Sequence, residues 1–257
     1  MISIYDWFGY EVSIADRYKL IKEAGFDGVL LWWSDGFGRG ANYREGVRHA
    51  VNAGLMIENM HTPVQEQDNL SLDNLEGERL LDCYLSCVKD CAAYEIPTMV
   101  VHLPDDEFPI NETGMQRVRR LAEEAERLGV NIAMENLRNN RNVACVLNAF
   151  DSKRIGFCYD SCHHANSENA GDLLAMYGNR LMALHLHDNG GVRGQHQLPF
   201  DGKIDWCVVM KKIAETGYKG ATALEPMNWG YENISMQEFL DRAYEKARKL
   251  ERMRYAV

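Results

Sequence analysis

Residues 181–206 read LMALHLHDNGGVRGQHQLPFDGKIDW, and the reading of this stretch decides the fold. It opens as a short apolar run in which His185 and His187 sit two residues apart. In a β-strand residues i and i+2 share a face, so both imidazoles are expected to look into one site. Asp188 and Asn189 follow, then Gly190 and Gly191, then Arg193 and His196, before Asp205 opens a helix-like segment. A strand that ends in polar side chains and runs into a glycine-rich loop is how a (β/α) barrel builds its active face.

Working outward, the same unit recurs eight times: a short apolar run with polar residues at its end, then an amphipathic helix. The apolar runs are 2–7, 28–33, 56–61, 98–103, 131–136, 155–160, the start of the stretch above, and 221–225. The helices expected between and after them are 14–24, 43–52, about 72–94, 113–128, 143–150, 169–177, 206–216 and 236–253, several stopped by a glycine such as Gly25, Gly54, Gly129 or Gly217. Strands alternating with helices at about 30-residue spacing read as βαβ units on a parallel sheet. Eight units with no Pro/Gly/Ser-rich linker close more readily into a (β/α)8 TIM barrel than into an open sheet. Residues 1–257 are therefore expected to form a single barrel domain of the α/β class, a length that such barrels routinely reach.

Composition narrows the partners. Hydrophobic residues make up 46% of the chain, enough for a sizeable core, and the formal net charge is -10. That acidity argues against binding a phosphate backbone, so nucleic acid is not the expected partner. The start, MISIYDWFGYEV, lacks a basic region followed by an apolar one, and no run of about 18 apolar residues occurs; neither a signal peptide nor a membrane span is expected. Of the seven cysteines, Cys83, Cys87 and Cys91 fall at i, i+4 and i+8, one stripe of a helix, and read as a buried face and not a metal site. Free thiols without a secretory signal fit a reducing, cytoplasmic location.

In an eightfold barrel the polar residues at strand C-termini are the catalytic candidates. Here they are His61, His102, Glu135, Asp160, His185 or His187, and Glu225. Each is costly near a barrel mouth unless paired or ligated. A lone histidine at such a position is most often a satisfied core residue; six polar residues on separate strands are hard to explain as accidents. Two Glu, one Asp and one or two His form a mixed N/O donor set that suits Mn²⁺, Co²⁺, Zn²⁺ or Mg²⁺. The aromatic residues Trp7, Phe8, Trp32, Trp33 and Trp229 lie near the same strand ends, where flat rings can stack on the C–H faces of a sugar. Adjacent Trp32 and Trp33 cannot both face inward from a regular strand, so one of them is expected to pack elsewhere.

With these motifs in view, the chain resembles the xylose isomerase-like TIM barrels, a group that includes ketose 3-epimerases, inosose and hydroxypyruvate-type isomerases, and endonuclease IV. The resemblance runs through the order of all eight units. It implies a divalent metal held by Glu135 in AMENL, Asp160 in CYDSCHH, a histidine of HLHDN, and Glu225 in ALEP. The HxxD version of the family favours His185 as the ligand; the ketose epimerases favour His187, with Arg193 six residues on. The resemblance further implies that Glu135 and Glu225 act as acid and base around a metal-held hydroxy-carbonyl, through an enediolate. His163, in the family's D-x-x-H, and Arg193 would orient substrate, and His61, His102, His196, Trp7 and Trp33 complete the substrate-binding candidates.

The expected activity is thus isomerisation or epimerisation of a small-molecule sugar or polyol-like hydroxy-carbonyl compound, with self-association into a homo-oligomer left open. A dehydratase of a polyol or keto-inositol would use the same metal and carboxylates. Arg141 stands where ketose 3-epimerases carry a Glu, which weakens that particular activity. Endonuclease IV offers a second reading, because His61, His102 and Glu135 match its second metal position and His163 and His196 part of its third. The carboxylate that the third position needs is replaced by Gly194. A non-enzymatic sugar-binding barrel would need a degenerate ligand set, and this set is intact. The loop GGVRG is a weak candidate for phosphate.

Overall fold

Most of the apolar runs become strands buried on both faces, as parallel sheets require. In the computed structural model, which describes residues 1–36, 42–64, 66–105, 108–138, 140–167 and 171–256, the strands are β1 (Ile2–Tyr5), β2 (Gly28–Trp32), β3 (Met56–His61), β4 (Thr98–His102), β5 (Asn131–Glu135), β6 (Ile155–Asp160), β7 (Leu181–His185) and β8 (Thr222–Leu224). All named pairings are parallel, in the order β7-β6-β5-β4-β3-β2-β1-β8. The circle is drawn shut between β7 and β8 by a single bridge, Leu186 to Leu224, whose bonds run from Leu186 N–H to Ala223 and from Glu225 N–H to Leu186. This is the (β/α)8 barrel that the eightfold pattern predicts.

Helices α1 (Ile14–Glu23), α2 (Glu45–Asn52), α3 (Leu75–Ala93), α4 (Glu112–Leu128), α5 (Asn140–Ala149), α6 (Ser161–Ala165), α7 (Leu173–Tyr177), α8 (Trp206–Glu215) and α9 (Met236–Tyr255) surround the sheet. Their starts follow side-chain caps: Ser13, Asn74, Asn111, Asp172, Asp205 and Ser235 each accept from a backbone N–H two or three residues on. The stripe on α3 is buried as expected at Cys87 and Cys91, with Cys83 half-buried. Among the described residues no helix is long and apolar enough to cross a membrane.

Four elements differ from the sequence reading. The helix expected from about residue 72 begins at Leu75, after a 3-10 turn at Gln67–Ser71. Buried Arg117 captures the carbonyls of Leu70 and Leu72 at 2.8 and 2.6 Å and holds that turn apart from the helix. The segment after β6 is not plain loop: Asp160 accepts the N–H of His163 at 2.6 Å and so caps the short helix α6. The expected helix 169–177 is observed over Leu173–Tyr177, and residues 169 and 170 lie outside the described set. Finally, β7 ends at His185, so His187 stands two residues beyond the regular strand.

Candidate metal and substrate site

Register brings the site together. Parallel pairing sets His102 opposite Glu135, Asp160 opposite His185, and Trp32 opposite His61, all at strand C-termini. Donor atoms of Glu135, Asp160, His185 and Glu225 lie within 4.8 Å of one another, and all four residues are buried. Ligand bonds of about 2.0–2.2 Å put two donors at most about 4.4 Å apart, so these atoms need shift only a few tenths of an ångström to share an ion.

The donor set has the form that an ion would complete. Both carboxylate oxygens of Glu135 and both ring nitrogens of His185 are buried with no hydrogen-bond partner. Yet Glu135 oxygens stand 3.0 Å from His185 Nδ1, 3.2 Å from His102 Nε2, 3.3 Å from His163 Nδ1 and 3.4 Å from His61 Nε2. His163 Nδ1 also meets the Asn136 carbonyl; the other groups, close but not aligned for hydrogen bonding, converge on common space instead of satisfying each other. Unpaired buried polar atoms are rare enough to require an explanation of this kind. The residues present therefore fit a divalent cation bound by oxygen and imidazole.

Three imidazoles are oriented from behind. His61 Nδ1 lies 2.7 Å from the Thr62 carbonyl, His163 Nδ1 3.1 Å from that of Asn136, and His196 Nδ1 3.1 Å from that of Glu225. A carbonyl only accepts, so Nδ1 carries the proton in each ring and Nε2 is the nitrogen left for a ligand. His187 plays a different part from His185. Its Nε2 binds Asp160 Oδ2 at 2.8 Å, and its ring stacks on His196 at 4.0 Å between centroids. Asp160 is further fixed through its backbone, which exchanges bonds of 2.9 Å with the Asn136 side chain.

Charge and burial work against each other here. Burial alone would raise the Glu135 carboxyl, but His102 and His185 hold it well below the ordinary carboxylate range. Asp160 is likewise pushed up by burial and brought down below its usual value by His163 and His187. Burial disfavours a charged His163, yet Asp160 and Glu135 raise it to about 9. His196 moves the other way: burial and the neighbouring His187 lower it to about 3. The cluster thus keeps carboxylates ionised in a dry site, the state in which they bind a cation.

Above the cluster lies a cavity of about 420 Å³. His61, His102, Glu135, His163, His196 and Glu225 form its floor, and Trp7 lines its wall, as expected. Two candidates fall elsewhere. Trp33 does not reach the cavity: its indole N–H donates to Asp90 at 2.9 Å and its ring packs on Tyr43 and Tyr94, because strand alternation turns it to the helix layer. Trp32 takes the inward position. Arg193 is exposed, and its guanidinium pairs with Asp105 at 3.1 Å instead of lining the cavity. In GGVRG the Gly190 and Gly191 N–H groups already donate to Gln195 and Asn189, so these two amides are not open to a phosphate.

Sequence reasoning missed several lining residues: Tyr5, Glu11, Val64 and Met227. Tyr5 is the last residue of β1 and could have been found as a strand-end position; the others lie on loops, where no periodicity marks them. The sequence marks Asp188 only as a polar residue after the histidines. It is a buried hub that accepts from Asn189, Phe200 and Ile204 N–H groups and from the Trp206 indole.

Comparison with known proteins bears on the family and the fold. The profile of the xylose isomerase-like TIM barrel family matches residues 18–247. An uncharacterized protein, y4fM, of Sinorhizobium fredii is 29% identical, with 95% of this chain and 90% of that protein covered. Fructoselysine 3-epimerase of Shigella flexneri is 29% identical over 43% of each chain. Among solved structures, D-psicose 3-epimerase from Clostridium cellulolyticum H10, determined with D-tagatose, superposes with a TM-score of 0.74 at 18% identity, covering 98% of each chain.

Proposed function

The chain belongs to the xylose isomerase-like TIM barrel family, and we propose that it is a divalent-metal-dependent epimerase or isomerase of a sugar or related hydroxy-carbonyl compound. One observation carries the reading: buried Glu135, Asp160, His185 and Glu225 converge beneath a cavity walled by aromatic rings, with the Glu135 oxygens and His185 nitrogens left unsatisfied. The relatives named as sugar 3-epimerases support the same class of substrate.

Of the two histidines, His185 is the better ligand. Its Nδ1 stands 3.0 Å from Glu135 and 3.5 Å from Glu225, whereas His187 is engaged in holding Asp160. A bound divalent cation would polarise the substrate carbonyl and lower the cost of the charge that develops on removing the neighbouring C–H proton. Glu135 and Glu225 flank His185, so one carboxylate can take that proton and the other return it on the opposite side. His61, His163 and His196 present Nε2 to substrate hydroxyls, and the Tyr5, Trp7 and Trp32 rings cover its C–H faces and exclude water.

The test is C–H exchange. Incubated in D₂O with manganese and ketohexoses, the protein should incorporate deuterium beside the carbonyl. Glu225→Gln should abolish the exchange while the circular dichroism spectrum stays native. Full exchange by that variant would remove Glu225 from the chemistry.

A further inference from the structure

The mouth of the cavity carries a charge pattern that the floor chemistry does not require. Its wall is made by the loops after β1 and β8, which are tied together: Asn228 N–H donates to Phe8 at 3.0 Å, and the Tyr10 hydroxyl reaches the Tyr231 and Ile234 carbonyls at 3.2 and 3.1 Å. Gly9 has φ +93 and passes so close to Asn228 that a Cβ would lie 2.0 Å from its Oδ1. Only glycine can take that path. The wall is therefore fixed, and it presents Trp7, Glu11 and Trp229 to the cavity.

Glu11 is exposed and has no ion-pair or hydrogen-bond partner among the described residues. No Lys or Arg lines the cavity among those residues. Arg138 and Arg193, on the neighbouring loops, are both bound to Asp105, at 2.8 and 3.1 Å. Arg17 lies behind Trp7, 5.0 Å from its ring, and is held by the Asp6 and Tyr10 carbonyls. That cation occupies one side of Trp7, which leaves Trp229, half exposed and edge-on to His196, as the uncommitted indole. With the Gly190 and Gly191 amides also engaged, an anion at the rim meets the Glu11 carboxylate and, among the described lining residues, no Lys or Arg; the imidazoles, His163 among them, lie deeper, on the floor. A cation meets that carboxylate, an indole face and the field of a chain with net charge -10.

We propose that this mouth seats a positively charged alkylammonium at the end of the substrate remote from its carbonyl, held between Glu11 and Trp229, and that it refuses phosphorylated sugars. This rests on the sugar-enzyme reading and deepens it by naming the substrate class: an aminated sugar derivative.

The experiment is a binding series on the manganese-loaded protein by calorimetry at neutral pH. Its probes are glucitol, 1-amino-1-deoxyglucitol, the N-acetyl derivative of that amine, and glucitol 6-phosphate. An exposed ion pair with a cation–π contact predicts that the free amine binds about tenfold tighter than the acetylated form, with the phosphate weakest. Glu11→Gln should erase the difference between amine and acetylated amine, and Trp229→Ala should reduce it. Equal binding of both, tightest binding of the phosphate, a preference that survives Glu11→Gln, or no binding by any probe would overturn the proposal. Because the readout is binding, it separates from the catalytic reading. An amine preference in a protein that exchanges no C–H proton refutes the enzyme and leaves the seat.

Discussion

Asp188→Asn is the perturbation whose cost the structure fixes most closely. The carboxylate is fully buried, and its oxygens accept four hydrogen bonds: Asn189 N–H at 2.8 Å and Ile204 N–H at 3.1 Å on Oδ1, Phe200 N–H at 2.9 Å and Trp206 Nε1–H at 2.7 Å on Oδ2. An amide keeps one oxygen, so either orientation turns an NH₂ group toward two donors. Hydrogen bonds to a charged acceptor contribute about 1.5–3 kcal/mol each, and two lost together should cost about 3–6 kcal/mol. In a chain of this size each kcal/mol moves the unfolding midpoint by roughly 2–4 °C, so the expected drop is roughly 6–24 °C. The loop that Asp188 organises also carries His196, which stacks on His187, so metal affinity should fall as well. Thermal unfolding followed by circular dichroism reads the first effect and metal titration the second. A midpoint within about 2 °C of the parent would show that these four bonds do not hold the loop.

Three further outcomes follow from the geometry. His185→Asn should weaken manganese binding more than His187→Asn, because His185 faces two carboxylates and His187 holds one from behind; equal titration curves would reverse that assignment. In the ion-free protein, His163 is raised to about 9 by Asp160 and Glu135 against burial, from an unfolded value of about 6.5. A raised histidine contributes stability in full below about 6.5 and loses it as pH rises through about 9, so urea midpoints should fall between those limits by no more than about 3 kcal/mol equivalent; His163→Gln should flatten the profile. Trp33→Phe removes the indole donor to Asp90, which Arg44 also binds at 2.8 Å. It should cost about 1–2 kcal/mol in denaturant unfolding and leave C–H exchange unchanged; a loss of exchange would return Trp33 to the site.

The barrel was legible because its information is local and repeated. Apolar runs, caps such as Asn111 and Asp205, and stops such as Gly129 are read from a few adjacent residues. The floor was legible for a related reason: register in a parallel barrel brings strand-end residues such as His102 and Glu135 side by side without knowledge of the loops. What failed depended on loop paths. The family resemblance puts Arg193 at the substrate, but the loop carries it out to Asp105. Glu11 and Met227 reach the cavity through loops whose mutual bonds, such as Asn228 to Phe8, join residues more than two hundred positions apart. The two adjacent tryptophans show where a sequence rule stops. Alternation says that one turns away, and only the registered sheet says that it is Trp33.

The central claim is that Glu135, Asp160, His185 and Glu225 hold one divalent cation. Bound metal per chain, measured by elemental analysis on protein purified without chelator or affinity metal, tests it most directly. The account predicts about one Mn, Co, Zn or Mg per chain, falling to near zero in Glu225→Gln. Two or three zinc ions per chain would contradict it, drawing in His61, His102, His187 and His196 and pointing to the nuclease chemistry of the same family. No metal, with none taken up on titration, would contradict it outright.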